Sequence, residues 1–501
     1  MSFVIERGAS VLVVGAGIMG AGIAQVAAQA GHPVLLFDLR EGAATEAKAR
    51  LGTSLEAVVA KGKLTAQAVA ETLSRIEPIG TLEAAAPVRL VIEAVVEQLD
   101  AKRALFRQLE SIVAEDCVLA TNTSSISVTA IANGLKHPGR LVGMHFFNPV
   151  PLMKLVEVVS GLQTDPDVAR IIHALATRWG KAPVYARSTP GFIVNRIARP
   201  YYAETLALLQ EQAAAPAVLD ACLRAAGFRM GPCELMDLIG HDTNFAVTQS
   251  VYEANFFDKR FVPSLVQREL VDGGLLGRKT GCGFHDYMPG AANPTVPVYE
   301  AVALPAGERL RVHGRGAVAE RLCQVLTRAC RSFQHCADSD WTGLEVQGAQ
   351  LRVTDGRPAT QLGAEVAVFD LPLTSVPGAV LAWAVSQRAS TAWAEAAGQW
   401  LCALGWNAQR IADTPGLVVA RTIAMLINEA ADAVHQGVCD EDAADAAMKL
   451  GVNYPQGPFE WLANWSAAGV SRLLDSLDAH YRGERYRVSP ALRQRTWKES
   501  T

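Results

Sequence analysis

Short apolar, β-branched runs alternate with longer amphipathic stretches through the first third of the chain. Residues 10–14 (SVLVV) are such a run, bounded by glycine, and predict a buried strand. Residues 17–30 are alanine-rich and apolar, which predicts a helix packed on a sheet, and 33–38 (PVLLFD) predict a second strand. Strand, glycine turn, helix and strand together make one βαβ unit. Residues 41–77 mix alanine with Glu, Lys and Arg at helical spacing and predict exposed helices. Further strands are predicted at 89–95 (RLVIEAV), 117–122 (CVLATN) and 140–147 (RLVGMHFF), with a charged helix at 99–114. This alternation implies a parallel sheet with helices on both faces.

After Pro190 the texture changes. Residues 190–285 are long helical stretches with few strand signals, and the Pro/Gly/Asn-rich segment 288–297 (MPGAANPTVP) reads as a linker. Residues 309–329 then look like another strand, glycine turn and helix. Residues 332–336 (SFQHC) and 365–372 (EVAVFDLP) supply strands for the same small α/β unit. The sequence also repeats itself. STPGFIVNRIARPYYAE (188–204) matches DTPGLVVARTIAMLINE (413–429) at an offset of 225, and 223–235 matches 448–461. The all-α domain is therefore expected twice, its two copies packing on each other as the halves of a dimer would.

Composition narrows the class. At 501 residues the chain is too long for one core, and roughly three or four domains are expected. A net charge of -4 with both signs interspersed, and no basic stripe, argues against nucleic acid as a partner. The nine cysteines show no CxxC pairing, which argues against a disulfide framework or a metal site and fits a reducing cytoplasm. Residues 11–37 hold no Asp, Glu, Lys or Arg and are long enough to cross a bilayer. They also hold Gly15, Gly17, Gly20, Gly22 and Gly31 with Gln25 and Gln29, so no membrane association is expected.

Gly15, Gly17 and Gly20 spell G-x-G-x-x-G, around Ile18 and Met19, directly after a strand and at the start of a helix. The first glycine permits the turn, the second lets the backbone approach a pyrophosphate, and the third lets helix and strand pack closely. The helix N-terminus offers free N–H groups to the phosphates. Asp38 follows at the end of the second strand, where a carboxylate accepts from ribose hydroxyls and repels a 2′-phosphate. NAD is thus favoured over NADP, a preference that Arg40 weakens slightly. On the motif alone, FAD or a packing turn without nucleotide stays open. The expected fold is α/β plus all-α, in four parts. These are a Rossmann-type doubly wound sheet (1–188), a helical domain (189–290), a degenerate Rossmann-like module (300–412) and a second helical copy (413–501). The middle turn has only Gly314 and Gly316, followed by Glu320 where phosphates would sit, and is expected to bind no nucleotide.

Four segments carry groups suited to hydride transfer from an alcohol: TNTSS (121–125), HFFNPV (145–150), LVEVV (155–159) and TPGFIVNR (189–196). Removing a hydride from a carbinol carbon requires a base for the hydroxyl proton, and histidine is suited to that role. A neighbouring carboxylate would fix its tautomer. Each residue has a plainer reading beside this one. His145 in an apolar stretch is often a packed core residue, Glu157 a solvent-facing strand residue, Ser124 a helix cap, and Asn195 a turn cap.

Taken together, G-A-G-x-M-G-x-G-I-A, N-T-S-S, H-F-F-N-P-x-x-x-M-x-L-V-E-V, T-P-G-F-I-x-N-R and G-R-K-T-G-x-G-F (277–284) resemble the 3-hydroxyacyl-CoA dehydrogenases, densely through residues 8–286. The resemblance implies an NAD-dependent oxidation of a 3-hydroxyacyl-CoA. It implies His145 as general acid/base, Glu157 as its orienting partner, Ser124 and Asn195 on the substrate oxygen, and Asn148 in support. It further implies Glu97, Lys102 and Lys279 at the nicotinamide nucleotide, and Ser54 and Lys61 near the CoA. The tandem arrangement resembles a longer subgroup associated with phenylacetate catabolism, with 3-hydroxyadipyl-CoA or 3-hydroxybutyryl-CoA as substrate. A homo-oligomer, dimer or higher, is expected. The second helical copy has Ala420 where the first has Asn195, and so lacks the amide. Two other readings remain: a 3-hydroxyacid dehydrogenase of related architecture, and a non-catalytic CoA-binding assembly subunit.

Overall fold

The computed structural model describes residues 5–292, 295–298, 303, 309–374 and 376–499, so the expected linker at 288–297 lies partly outside the described residues. The chain forms two compact units, Met1–Arg196 with Gln436–Val452, and Ile197–His435 with Asn453–Thr501.

The first unit is built on eight strands. They are β1 (Val11–Val14), β2 (Val34–Phe37), β3 (Ile76–Pro78), β4 (Leu90–Glu93), β5 (Val118–Thr121), β6 (Leu141–Phe146), β7 (Leu155–Ser160) and β8 (Ala182–Arg187), in the order β3-β2-β1-β4-β5-β6-β7-β8. Every residue of β1 is buried, as its unbroken apolar run requires of a strand covered on both faces. Chain order reverses between β1 and β4, so a crevice opens at the carboxyl end of β1, where helix α1 (Ile18–Gln29) begins. Helix α2 (Ala43–Ala60) follows β2 and turns Ala43, Ala44, Ala47, Leu51 and Leu55 inward.

One pairing departs from the expected parallel sheet: β6 and β7 run antiparallel. The short segment 147–154 joins them, and it cannot make the crossover of a dozen or more residues that parallel neighbours need. The reversal sets His145 directly opposite Glu157. Beyond β7, the edge strand β8 is covered from an unexpected source. Helix Glu441–Val452, from the second repeat, packs on β7 and β8. The N–H of Arg187 donates to the carbonyl of Val438 at 2.9 Å, and Arg196 donates to Gln436 at 2.8 Å. The compact units therefore do not follow the boundaries of the repeat.

The second unit contains another sheet and the rest of both helical copies. Its strands are β9 (Leu310–His313), β10 (Phe333–Cys336), β11 (Gly343–Val346), β12 (Ala349–Val353), β13 (Val366–Phe369), β14 (Ala379–Val385) and β15 (Trp406–Arg410), in the order β10-β9-β11-β12-β13-β14-β15. β9, helix Ala317–Arg328 and β10 form the expected parallel βαβ start. The remainder is mixed, because β11 runs antiparallel to both β9 and β12, and β13 antiparallel to β14. At the turn of β9, Ala319 stands where the first motif has Gly20, and Ala337 follows β10 where Asp38 follows β2.

Helices Arg199–Gln210 and Val419–His435, the matching helices of the two copies, pack against each other. Charged residues are buried at their contact. Arg421 donates to Glu204 at 2.6 Å, and Arg485 reaches the same carboxylate at 2.8 Å. Arg260 pairs with Glu429 at 3.3 Å. Arg260 and Arg485 occupy one position of the repeat, as do Glu204 and Glu429, so each copy presents a carboxylate to the other copy's arginine. Burial alone would raise the Glu204 carboxyl; the charges of Arg485 and Arg421 hold it below the ordinary range instead. Glu204→Ala leaves Arg421 and Arg485 short of their counter-charge. It is expected to lower the stability of this unit by about 3–5 kcal/mol in denaturant titration. A loss smaller than about 1 kcal/mol would show that Glu211 and the tyrosines around Arg421 suffice.

Candidate active site

The glycine turn after β1 is tight in two places and open in one. Gly15 has φ +104°, and a Cβ there would lie 2.4 Å from the carbonyl oxygen of Ala94. A Cβ on Gly20 would lie 1.7 Å from the carbonyl oxygen of Gly15, so only glycine lets α1 come this close to its strand. A Cβ on Gly17 would meet nothing within 4 Å. In dinucleotide folds the space in front of the first turn of such a helix is where a pyrophosphate meets free backbone N–H groups. Ile18 and Leu39 stay exposed around it, while Met19 packs against the core. At the end of β2, Asp38 accepts the N–H of Ala16 at 2.7 Å and that of Arg40 at 2.9 Å, which fixes its carboxylate at the rim of the crevice. Turn, helix start and acid all fit a dinucleotide.

A second cluster closes β4 and β5. Glu93, buried at the end of β4, accepts from the ammonium of Lys102 and the hydroxyl of Thr121, both at 2.6 Å. Lys102 is 1% exposed and also reaches Glu97 at 3.1 Å. Glu97 in turn accepts the hydroxyl of Thr123 at 2.6 Å and the N–H groups of Ser124 and Ser125 at 2.9 and 3.1 Å. Burial opposes ionisation of Glu97, but the Lys102 charge and these hydrogen bonds hold its carboxyl below the ordinary range. The serine loop is thus clamped by an anchored carboxylate. Glu93 escaped the sequence reading, its one signal being a lone acid inside the apolar run RLVIEAV.

The third cluster joins β6, β7 and the chain after β8. Antiparallel partners on one face stand within about 5.5 Å at Cβ, and His145 Nδ1 lies 2.6 Å from Glu157 Oε2. A carboxylate can only accept, so in the neutral ring Nδ1 carries the proton and Nε2 presents its lone pair. The other oxygen of Glu157 accepts the N–H groups of Ile193 and Val194, each at 3.0 Å. Those amides converge because the preceding turn is left-handed at Gly191 and Phe192. They open the short helix Val194–Ile197, which carries Asn195. The rings of Phe147 and Phe192 flank His145, with centroids 4.5 and 5.9 Å away, and leave it 6% exposed. The Asn195 amide donates to the carbonyl of Ser124 at 3.4 Å, so the structure brings His145, Glu157, Ser124 and Asn195 together. Asn122, inside the TNTSS segment, accepts the N–H of Phe146 at 2.8 Å and ties the serine loop to the strand of His145.

The other expected residues lie farther out. Asn148 is exposed just past β6. Ser54 sits on the exposed face of α2, and Lys61 caps that helix. Lys279 belongs to the second unit, where it pairs with Asp242 at 2.7 Å. In the second repeat, the turn before helix Val419–His435 is again left-handed, at Gly416 and Leu417. Its amides meet Asp370, which accepts the N–H of Val418 and Ala420 at 2.9 and 2.8 Å. The N–H of Asp370 bonds the carbonyl of Ala382, so Asp370 takes the histidine's cross-strand place and Ala382 the glutamate's.

Comparison with known proteins agrees with this geometry. The model of the "3-hydroxyacyl-CoA dehydrogenase, NAD binding domain" matches residues 10–189, and that of the "C-terminal domain" matches twice, at 191–287 and 416–499. The chain belongs to the 3-hydroxyacyl-CoA dehydrogenase family. A "3-hydroxybutyryl-CoA dehydrogenase reduced Rossmann-fold domain" matches residues 351–415 of this dehydrogenase. It is 45% identical over 98% of both chains to 3-hydroxyadipyl-CoA dehydrogenase of Escherichia coli. It superposes with a TM-score of 0.89 on the crystal structure of 3-hydroxybutyryl-CoA dehydrogenase of the same species, at 44% identity over 99% of both chains. Mitochondrial hydroxyacyl-coenzyme A dehydrogenase of Sus scrofa is 40% identical over 55% of this chain and 90% of its own. The dehydrogenase is accordingly an NAD-dependent oxidoreductase acting on an acyl-CoA. Among the described residues no helix is long and apolar enough to cross a membrane.

Gly17→Ala is sterically harmless to the free dehydrogenase, yet its methyl enters the space before α1. The variant is expected to melt as the parent does while binding NADH at least about tenfold more weakly, a loss of about 1.4 kcal/mol. Unchanged NADH affinity by fluorescence titration would place the pyrophosphate elsewhere.

Proposed function

We propose that the dehydrogenase oxidises the 3-hydroxyl of its acyl-CoA with His145 as general base and Glu157 as its orienting partner. The observation that carries this reading is the 2.6 Å bond between them, with Glu157 held in turn by two backbone amides. Nε2 of His145 takes the hydroxyl proton, and Glu157 stabilises the imidazolium that forms. Ser124 and Asn195 hold the substrate oxygen toward Nε2, with Asn148 in support. Gly15, Gly17, Ile18, Met19, Gly20, Asp38, Glu97, Lys102 and Lys279 hold NAD, Lys102 acting from beneath Glu97. When bound, NAD supplies the nicotinamide that accepts the hydride. Ser54 and Lys61 contact the CoA.

The substrate in this reading is 3-hydroxyadipyl-CoA or 3-hydroxybutyryl-CoA, after the names of the relatives that match the chain end to end. Its setting is the degradation of phenylacetate or fatty acids in the cytoplasm, by a homo-oligomeric enzyme. The four parts 1–188, 189–290, 300–412 and 413–501 serve as cofactor domain, catalytic helical domain, non-binding module and packing copy. Ala420 and Asp370 support a structural role for the last, since neither a side-chain amide nor an imidazole stands at its opening turn.

His145→Gln is expected to lower kcat about 10²–10⁴-fold while NADH binding stays near the parent's. Glu157→Gln is expected to lose less, because the base itself remains. A His145→Gln variant that keeps a tenth of parental turnover, measured as NADH formation over a panel of 3-hydroxyacyl-CoAs, would remove this histidine from the mechanism.

A further inference from the structure

Two residues past Asp38 the chain places Arg40, and a guanidinium beside that acid is the group with which dinucleotide sites receive a 2′-phosphate. The two share one turn: the backbone N–H of Arg40 donates to Asp38 Oδ1 at 2.9 Å, and the carbonyl of Arg40 accepts from Ala43 at 3.1 Å. The Arg40 side chain does not lie free at the rim. Its Nη1 and Nη2 meet Glu46 Oε1 and Oε2 at 3.0 and 2.5 Å, fork against fork. Glu46 stands in the first turn of α2, where the helix favours a carboxylate. Gly42, left-handed at φ +78°, bends the chain so that the turn leads back to Glu46, whose Oε1 lies 3.9 Å from a Cβ built there.

We propose that Glu46 is a specificity-determining residue, which withholds Arg40 from a 2′-phosphate, so that the choice of NAD over NADP rests on two carboxylates. Asp38 repels the phosphate directly. Glu46 occupies the guanidinium that would otherwise offset that repulsion. The hydrogen bond from Arg40, and the charges of Arg40 and Arg50, hold the Glu46 carboxyl below its ordinary range and keep it ionised as the competing anion. Arg50 lies 3.7 Å from Glu46 and Glu41 is exposed beside Arg40, so Arg40 is the cation that faces both Asp38 and Glu46. Both side chains of the pair are more than half exposed, and exposed pairs are weak, so the effect is modest for Glu46 alone.

The test is calorimetric and needs no turnover. ADP-ribose and its 2′-phosphorylated form are titrated into the full-length protein, into Glu46→Gln, and into Glu46→Gln combined with Arg40→Ala. The same substitutions are repeated on an Asp38→Ser background. Glu46→Gln is expected to leave ADP-ribose binding unchanged and to tighten the phosphorylated ligand about threefold. The gain should be larger on Asp38→Ser and absent with Arg40→Ala. The proposal fails if Glu46→Gln leaves the ratio of the two affinities where it was. It also fails if the gain survives Arg40→Ala, because loss of a negative charge alone would then account for it.

Discussion

Glu157 is the carboxylate on which the geometry of the first unit's candidate site depends. It is fully buried, and an ionised carboxylate out of water is tolerated only when its oxygens are hydrogen-bonded. Three donors meet that need: the Nδ1–H of His145 and the N–H groups of Ile193 and Val194. Those donors come from the strand of the base and from the turn that opens the helix of Asn195. Satisfying one buried carboxylate therefore ties the His145 imidazole to the helix that carries Asn195. The antiparallel step from β6 to β7 and the left-handed turn at Gly191 and Phe192 both serve this bond, one bringing the imidazole and the other the amides.

In the second repeat the matching turn also meets a buried carboxylate. Asp370 meets the same amides from the neighbouring strand, and Ala382 leaves room for it. Burial pushes the Asp370 carboxyl up to about 6, and its hydrogen bonds from Ala420, Val419 and Leu371 work against that rise. No imidazole is placed there, and Ala420 replaces the amide. Both repeats set a buried carboxylate against the amides of the helix start; in the first, that carboxylate also holds a histidine. The shared arginine–glutamate pairs between the copies follow the same logic, with Glu204 and Glu429 each answering arginines of the other copy. Duplication supplied within one chain a face that each helical copy needs covered.

Much of this was legible beforehand, for local reasons. β1, the glycine turn, α1 and β2 are encoded by contiguous residues, and His145 and Glu157 are conspicuous as isolated polar groups in apolar strands. The duplicated helical domain announced itself through STPGF and DTPGL. What was not legible depends on distant partners. The reversal at β6 and β7 follows from a short connection and not from either strand's composition. The hairpin between β11 and β12 turns on Gln347 and Gly348, both at positive φ, and lacks the Asn-Gly or Asp-Gly pair that would have signalled it. Four strands of the second sheet, β11, β12, β14 and β15, went unread. Lys102 looks like a surface residue of a charged helix and is buried against Glu93. Nothing in the sequence of Glu441–Val452 tells that this helix joins the first unit and not its own repeat.

The central claim is that Glu157 holds His145 with its proton on Nδ1 and its lone pair on Nε2. Nitrogen NMR of protein carrying ¹⁵N-labelled histidine, with the His145 signals assigned by their loss in His145→Gln, reads this directly at a pH where the ring is neutral. The account predicts a protonated Nδ1 and an unprotonated Nε2. A neutral ring with its proton on Nε2 would contradict it, since no lone pair would then face the substrate hydroxyl.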